Sequence, residues 1–386
     1  MGEPPNKPPT WRYMLSDVSF DTDEETAVLD VVRSKWLSMG PRTAELEQRF
    51  ASYIGTRYAL ATSNCTTALH LAVLAAGVGE GDEVVVPSLS FVATANAVLY
   101  ARGVPVFADV ESLDRPLLSV ADVEKKITAR TRAIIPMHYA GYPCDMNALL
   151  ELARAKGLRV IEDDAHAVGS KAGGAKCGSI GDIGCFSFFA NKNLPAGEGG
   201  MLTTNDPALH EYMKLRRSHG MTTLSWDRFK GHSFSYDVVD VGFNFRMPEL
   251  TAAVALCQLS KLDRHNAERD RVFASYVRLL GKNPKLGIPF ASEPAPGARH
   301  IFPVVLAEGV DRHAFMQKLR DVGIQTSIHY APIHRFSHYD KLFSTSPPRL
   351  PVTEAYAARV VTLPFHQSLT DSDVAAIAEA VEDALR

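Results

Sequence analysis

The sequence has few cysteines, and they do not form the patterns of a disulfide scaffold or a structural zinc site. The five cysteines are odd in number, scattered and without a CxxC pair, which argues against both kinds of site. They are Cys65, Cys144, Cys177, Cys185 and Cys257. Because this usage is typical of a reducing compartment, we expect a cytoplasmic protein.

Long apolar runs and runs of one charge are also missing. No stretch approaches the roughly 20 apolar residues that a membrane-spanning helix needs. The polar, proline-rich segment 1–15 contains no apolar core of an export signal. The formal net charge is −3, and no lysine- or arginine-rich run is present. Neither nucleic acid nor an anionic membrane is therefore predicted as a partner.

What is present is the composition of a globular protein large enough for two domains. The chain has 386 residues, of which 46% are hydrophobic and 22% charged, ordinary values for a folded protein of this size. We predict a flexible N-terminal arm at 1–14, a large domain at 15–259 and a smaller C-terminal α/β domain at 260–386.

Short apolar runs alternate with helical segments through the first half of the chain. Runs that are apolar on both faces are typical of buried parallel strands, so the sequence predicts an α/β fold with a mostly parallel sheet between helices. The predicted strands are 83–88, 104–110, 132–139, 159–165, 185–189 and 300–306. The predicted helices are 24–37, 44–54, 66–76, 92–102, 119–129, 144–156, 248–280, 312–322 and one from 371, with a helix and then a polar loop in 205–240.

The most informative stretch is GDIGCFSFFANKNLPAGEGGML at 181–202. Lys192 follows a predicted buried strand and precedes a glycine-rich turn. A lysine in a low-dielectric pocket loses its proton and can attack an aldehyde. A lone lysine is more often exposed on a surface loop, so the interpretation depends on the residues around Lys192.

Carboxylates and hydroxyls are expected close to that lysine. Asp163 ends the strand RVIED at the carboxyl edge of the sheet, where it could keep a pyridine nitrogen protonated; a helix N-cap is an equally good explanation. Thr66 and Thr67 lie where a helix begins and could cradle a phosphate, although ordinary capping is commoner. Ser187 adds another hydroxyl near Lys192.

Six ordered segments carry a resemblance to a known family. They are SKWLSMGPRTAELEQRFASYIG (34–55), SNCTTALHLAVLAAGVGEGDEVVVPSLSFVATANAV (63–98), VIEDDAHAVGS (160–170), GCFSFFANKNLPAGEGGML (184–202), VGFNFRMPELTAAVALCQL (241–259) and VVTLPFHQSLTDSD (360–373). With them the sequence resembles the DegT/DnrJ/EryC1/StrS sugar aminotransferases over nearly the whole chain after the arm. The resemblance implies fold type I of the pyridoxal-phosphate enzymes.

The resemblance also implies a cofactor, pyridoxal 5′-phosphate, and residues that bind it. Lys192 matches the Schiff-base lysine, and Asp163 matches the carboxylate under the pyridine nitrogen. The other matches are Phe91 on the ring face, His166 near the ring hydroxyl, Thr66, Thr67 and Ser187 at the phosphate, and Asn244 reaching the phosphate from a second subunit. A homodimer with a shared active site is therefore implied.

Two positions depart from the family pattern. Asp164 stands where a small apolar residue is usual, so a second charge is expected near Asp163. Cys65 stands where glycine is frequent, next to the expected phosphate contact.

Substrate contacts are predicted from a separate group of residues. The resemblance indicates active-site contacts for His329, Tyr330 and His334, whereas His138 and Tyr139 end a predicted strand at the ligand edge and are equally well explained by burial. No metal site is predicted among the histidines of SIHYAPIHRFSHYD, because Pro332 interrupts any helix that would bring them to one face.

By resemblance, the reaction is transfer of an amino group from L-glutamate to a keto sugar. A nucleotide-linked 4-keto-6-deoxyhexose is the expected acceptor, in amino-sugar biosynthesis, with a cyclitol ketone as the alternative. A sugar dehydratase on the same fold is disfavoured, because such relatives replace the lysine by histidine or add an iron–sulfur cluster. A non-catalytic sensor that retains the cofactor is the other alternative, and no appended DNA-binding segment supports it.

Overall fold

The computed structural model describes residues 11–223, 231 and 235–386. Most of the predicted arm at 1–14 and part of the predicted polar loop in 205–240 lie outside these residues. Where the arm is described it is paired: Tyr13 forms a parallel bridge with Ile324, and the Arg12 N–H donates to the Gly323 carbonyl. The end of the predicted arm is thus attached to the C-terminal part of the fold.

A seven-stranded sheet forms the centre of the larger part of the molecule. In chain order the described strands are β1 (Tyr58–Thr62), β2 (Glu83–Pro87), β3 (Val104–Ala108), β4 (Thr131–Ile134), β5 (Arg159–Asp163), β6 (Lys171–Ala172), β7 (Ala175–Lys176), β8 (Ile183–Ser187), β9 (Gly200–Thr204), β10 (Leu286–Gly287), β11 (Phe302–Leu306) and β12 (Val360–Leu363). The order in the large sheet is β1-β9-β8-β5-β4-β2-β3. Only β9 runs against its neighbours, which confirms the predicted mostly parallel α/β fold.

Helices cover both faces of this sheet. In chain order the described α-helices are α1 (Thr22–Ser34), α2 (Pro41–Ile54), α3 (Cys65–Ala75), α4 (Ala93–Tyr100), α5 (Val120–Lys126), α6 (Met146–Lys156), α7 (Pro207–Arg217), α8 (Glu249–Leu280), α9 (Arg312–Asp321), α10 (Ser337–Leu342), α11 (Pro351–Arg359) and α12 (Asp371–Ala384). None of the described helices is long and apolar enough to cross a membrane.

Local sequence explains where several of these elements begin and end. β2, EVVVP, is buried at every position, as expected for a central parallel strand. A capping box begins α1 at Asp21, and another begins α12 at Thr370. α2 ends at Gly55 in the left-handed conformation that glycine adopts without strain.

A second, three-stranded sheet follows the long helix α8. Its order is β10-β11-β12, all antiparallel, and it packs with α8, α9 and α12 around an apolar core that includes Phe302, Phe315 and Ile377. The proposed domain boundary at 259/260 falls inside α8. We therefore keep the division as a proposal, with α8 as the element shared by both parts.

The topology brings several chain segments to one edge of the large sheet. β5 and β8 are parallel neighbours, with Asp163 paired to Cys185, so Asp163 and Ser187 both lie at carboxyl ends. The segment after β2 leaves the same edge, because β2 is parallel to β4 and β4 to β5. A ligand site is expected here in open α/β sheets.

Candidate active site

A cavity of about 450 Å³ opens at this edge of the sheet. Eight of the predicted site residues line it, namely Thr66, Phe91, Asp163, His166, Ser187, Lys192, His329 and Tyr330. Further lining residues that the sequence interpretation missed are Ser90, Thr94, Asn191 and Glu198. The structure therefore brings together, in one place, side chains spread over most of the chain.

Asp163 is buried and held by hydrogen bonds from two sides. Its Oδ2 accepts from the Thr94 hydroxyl at 2.7 Å, and its Oδ1 accepts from the Ala165 N–H at 3.2 Å. The Thr94 hydroxyl is itself within 2.6 Å of the Ser90 hydroxyl. Burial raises the pKa of Asp163, against the opposing effects of these hydrogen bonds and of Lys192.

Lys192 lies across the cavity on the loop after β8. Burial lowers the pKa of Lys192 to about 8, although Cys65 and Asp163 act in the opposite direction. With this pKa, roughly a tenth of the amine is uncharged at pH 7, and the uncharged amine is the form that acts as a nucleophile or a base. Its Nζ lies 3.3 Å from Nε2 of His300, a buried residue that no motif in the sequence singles out.

His166 and Tyr330 form a hydrogen-bonded pair on another wall. Nδ1 of His166 accepts the Ala140 N–H at 3.3 Å, so in the neutral ring Nε2 carries the proton and donates to the Tyr330 hydroxyl oxygen at 2.8 Å. Burial, followed by the Lys192 charge, lowers the pKa of His166, which keeps the ring neutral. Burial also lowers the pKa of His329 to about 4.

The N-terminus of α3 forms the end of the cavity. Asn64 caps this helix: its Oδ1 accepts the Thr67 N–H at 2.9 Å, and the Thr67 hydroxyl donates to the Asn64 carbonyl at 2.8 Å. Thr67 does not line the cavity, so its side chain matches the capping alternative. Thr66 does line it, with Ser187. A Cβ at Gly200 would meet the Asn64 carbonyl oxygen at 2.6 Å, so glycine is needed where β9 passes this helix.

Three predicted substrate contacts lie elsewhere in the structure. Tyr139 is buried and donates its hydroxyl proton to the His329 carbonyl. His334 is buried between the Ser88 hydroxyl, 2.7 Å from Nδ1, and Glu354, 3.0 Å from Nε2. Neither residue lines the cavity, and neither does His138. The side chains of all three form hydrogen bonds within the protein, as the alternative of burial implies for His138 and Tyr139, and substrate contact stays a prediction for them.

His138 belongs to a fully buried polar cluster behind the cavity with Glu162, Asp164 and Cys177. Its Nδ1 accepts the Cys144 N–H at 3.2 Å, so Nε2 carries the proton and donates to Glu162 at 3.1 Å. A protonated Nε2 offers no lone pair to a metal ion, although these groups lie close together.

Asp164 is directed into this cluster and away from the cavity. The predicted second carboxyl group is thus close to Asp163, whose charge contributes to the raised pKa of Asp164, but the two side chains face opposite sides of the strand end. Neither Asp164 oxygen has a hydrogen-bond partner among the described residues. Burial, followed by the charge of Glu162, raises the pKa of Asp164.

Asn244 is exposed and outside the cavity lining of its own chain. Its backbone forms a bridge with Ser218, and the carbonyl of the next residue, Phe245, accepts the Ser63 N–H at 2.8 Å. The backbone next to Asn244 thus lies close to the segment that precedes α3, while Asn244 itself is exposed.

The cavity fits the cofactor that the sequence implies. A protonated pyridine nitrogen next to Asp163 would offset the burial that raises the pKa of this carboxyl group. Lys192 supplies an amine, and the N-terminus of α3 with two hydroxyls supplies donors for a phosphate. The buried Oδ1 of Asn191, which also lines the cavity, has no hydrogen-bond partner among the described residues.

Comparisons with known proteins agree with this geometry. A sequence model of the DegT/DnrJ/EryC1/StrS aminotransferase family matches residues 18–382. The spore coat polysaccharide biosynthesis protein SpsC of Bacillus subtilis is 38% identical over 371 residues, which cover 94% of this chain and 95% of SpsC.

Two solved structures extend the likeness to three dimensions. Helicobacter pylori PseC, an aminotransferase involved in the biosynthesis of pseudoaminic acid, has a TM-score of 0.89 at 30% identity and covers 97% of this chain and 99% of its own. DesI, crystallised in the presence of its TDP-sugar product, has a TM-score of 0.86 at 29% identity, covering 98% of this chain and 95% of its own. The chain belongs to the DegT/DnrJ/EryC1/StrS family and is a sugar aminotransferase of the pyridoxal-phosphate-dependent fold type I.

Proposed function

We propose that this enzyme transfers the amino group of L-glutamate to a nucleotide-linked 4-keto-6-deoxyhexose, with Lys192 holding pyridoxal 5′-phosphate. One observation carries the proposal: the partly buried Lys192 amine and the buried Asp163 carboxylate face a single cavity. The TDP-sugar product of the relative DesI supports a nucleotide-linked acceptor. The free cysteine thiols support the cytoplasm as the compartment.

Asp163 and Lys192 have different roles in the reaction. Pyridoxal phosphate, when bound, supplies a ring that accepts the electron pair released at the reacting carbon. Asp163 favours the protonated pyridine nitrogen, because Thr94 and Ala165 hold its carboxylate in place. Lys192, with a pKa of about 8, can take a proton from one carbon and return it to another near neutral pH.

The remaining residues position the cofactor and the substrate. Thr66, Ser187 and the N-terminus of α3 would hold the phosphate, and His166 would lie near the ring hydroxyl. Phe91 is 58% exposed in the single chain, so its ring face is open to stack on a planar group. Tyr330 would contact the substrate beside His166.

The reaction is tested with L-glutamate labelled with ¹⁵N and a panel of nucleotide-linked keto sugars, including 3-keto and 4-keto isomers. We expect the label in the sugar product by mass spectrometry, with the 4-keto-6-deoxyhexose as the best acceptor. The Lys192→Ala enzyme is the control for non-enzymatic amination. Labelling of a cyclitol ketone and of no nucleotide sugar would contradict the proposed acceptor and leave the transamination intact.

We further propose a homodimer in which the partner subunit's Asn244 reaches the phosphate. Asn244 is exposed, and three apolar neighbours in sequence, Val238, Val239 and Val241, are exposed by 55%, 54% and 78%. An exposed apolar strip of this kind is typical of a protein–protein contact. A second copy of this chain on this face would bury the strip.

A complementation experiment tests the shared site. Lys192→Ala removes the amine, and Asn244→Asp places a negative charge against the phosphate, so each homodimer should be nearly inactive. In a mixed dimer one site collects both defects while the other has neither. Random reassembly of equal amounts should therefore restore roughly a quarter of wild-type activity under two-fold symmetry.

The same mixture also separates a role of Asn244 within its own subunit from a contact across subunits. If mixed dimers form, as native mass spectrometry can establish, and no activity returns, Asn244 acts within its own chain. Capping of α8 is not that role, because the N-cap of this helix is Pro248 and no side chain caps it.

A further inference from the structure

The amide of Asn193, the residue after Lys192, has a fixed orientation. Its Nδ2 donates to the Arg299 carbonyl at 3.0 Å and to Oδ1 of Asn266 at 2.8 Å. A backbone carbonyl can only accept, so the amide nitrogen must face Arg299. Asn266 is oriented in the same way, because its Nδ2 donates to the Val168 carbonyl.

This orientation determines the tautomer of His300. Oδ1 of Asn193 faces Nδ1 of His300 at 3.0 Å, and since this oxygen can only accept, Nδ1 carries the proton. Nε2 of the neutral ring then carries the lone pair. That lone pair faces Nζ of Lys192 at 3.3 Å, where the amine can only donate to it.

His300 is held firmly in this position and in the neutral form. The residue is 3% exposed. Its backbone N–H donates to the Ala140 carbonyl, and its carbonyl accepts a hydrogen bond from the buried Arg269 side chain. Burial, followed by the charge of Lys192, lowers the pKa of His300. A hydrogen-bond acceptor is thus built next to the reactive amine from a segment more than a hundred residues away.

We propose that His300 is a positioning residue for Lys192. Its Nε2 accepts a hydrogen bond from the Lys192 amine and so directs the lone pair of the amine toward the cavity. The proposal rests on the proposed role of Lys192 as the lysine that holds the cofactor. An amine with one N–H bound to His300 has fewer rotational states about Cε–Nζ. Asn193 and Asn266 act through the ring by fixing its tautomer.

The hydrogen bond has a measurable consequence for the protonation of Lys192. The titratable groups that face the amine are Cys65, Asp163, His166, His300 and His329. An acceptor stabilises the ammonium more than the neutral amine, so its removal should lower the pKa of Lys192 below its value of about 8. We expect a shift of about one pH unit, the size typical of one hydrogen bond to a charged donor.

The test compares wild type with His300→Phe and His300→Gln after release of the cofactor. Each protein is labelled with trace acetic anhydride across a pH series, and acetylation of Lys192 is quantified by peptide mass spectrometry relative to exposed Lys171. His300→Phe keeps an aromatic ring without an acceptor, whereas the amide oxygen of His300→Gln can replace Nε2. We expect the midpoint of His300→Phe to lie about one unit lower and that of His300→Gln to remain within a few tenths of wild type.

Two results would overturn the positioning role. One is a failure of the acetylation series: either the midpoint is unchanged in folded His300→Phe, or both variants shift equally. An equal shift would indicate an effect of packing and not of the lost acceptor. The other needs no variant: ¹⁵N NMR of histidine-labelled wild-type enzyme should show the proton on Nδ1 of His300, and a proton on Nε2 contradicts the proposal. Failure of the proposed function is distinguishable, because it would place the cofactor on another lysine and leave these measurements unchanged.

Discussion

Replacing Lys192 by alanine is expected to reduce transamination by at least about 100-fold, the lower limit typical of a lost proton-transfer group. The variant should also lose the covalent attachment of the cofactor, because no other amine among the described residues lines the cavity. Borohydride reduction of the yellow wild-type enzyme, followed by peptide mapping, should find the adduct on Lys192.

Lys171 and Lys176 are matched controls from the hairpin β6–β7. Lys171 is exposed, and Lys176 donates to the Tyr53 carbonyl at 2.6 Å with its Nζ 3.3 Å from the Tyr53 ring centre. Alanine at either position should leave cofactor attachment and rate near wild type. An adduct on Lys171 or Lys176 would refute the assignment of Lys192.

Asp163→Asn should retain the cofactor and slow the glutamate half-reaction on the order of 100- to 1,000-fold, as expected when a preorganised charge is removed. Asparagine has a single acceptor oxygen, which can still accept from the Ala165 N–H, while its amide nitrogen would donate to the Thr94 hydroxyl. It carries no negative charge to stabilise a positive ring nitrogen. Stopped-flow absorbance with glutamate alone measures this half-reaction without the sugar.

Asp164→Asn is the matched control one residue away. Asp164 is directed into the buried cluster with His138 and Glu162, on the other side of the strand end from the cavity. The substitution should therefore leave the half-reaction near the wild-type rate. A wild-type rate for Asp163→Asn together with an inactive Asp164→Asn would mean that the assignment is wrong by one residue.

The sequence predicted the parts of the site that follow from strand direction. Asp163 and Ser187 end parallel strands, and Lys192 follows the second of them, so one sheet edge collects all three. Thr66 was predicted from its place at the start of a helix and Phe91 from the family resemblance, and both line the same cavity. Apart from Phe91, these inferences needed only local sequence and the rule that parallel strands end at the same edge of a sheet.

Other features depend on contacts that local sequence does not encode. His300 lies beside Lys192 only because the chain returns from the end of α8 to the large sheet. Thr67, like Thr66, is a hydroxyl residue at the start of a helix, but its hydroxyl donates to the Asn64 carbonyl as part of the helix cap. Six strands were missed, namely β1, β9, β12 and the two-residue strands β6, β7 and β10. β1 and β12 are short, and their partners β9 and β11 lie far along the chain.

The place of β1 in the sheet also has a consequence for the order of folding during synthesis. β1 pairs only with β9 in the large sheet, Tyr58 opposite Thr204, so this edge cannot close until Thr204 has left the ribosome. At 5–20 residues per second that interval lasts roughly 7 to 30 s. Throughout it the apolar segment Ala59–Ala61 has no strand partner, a state in which nascent chains aggregate or bind chaperones.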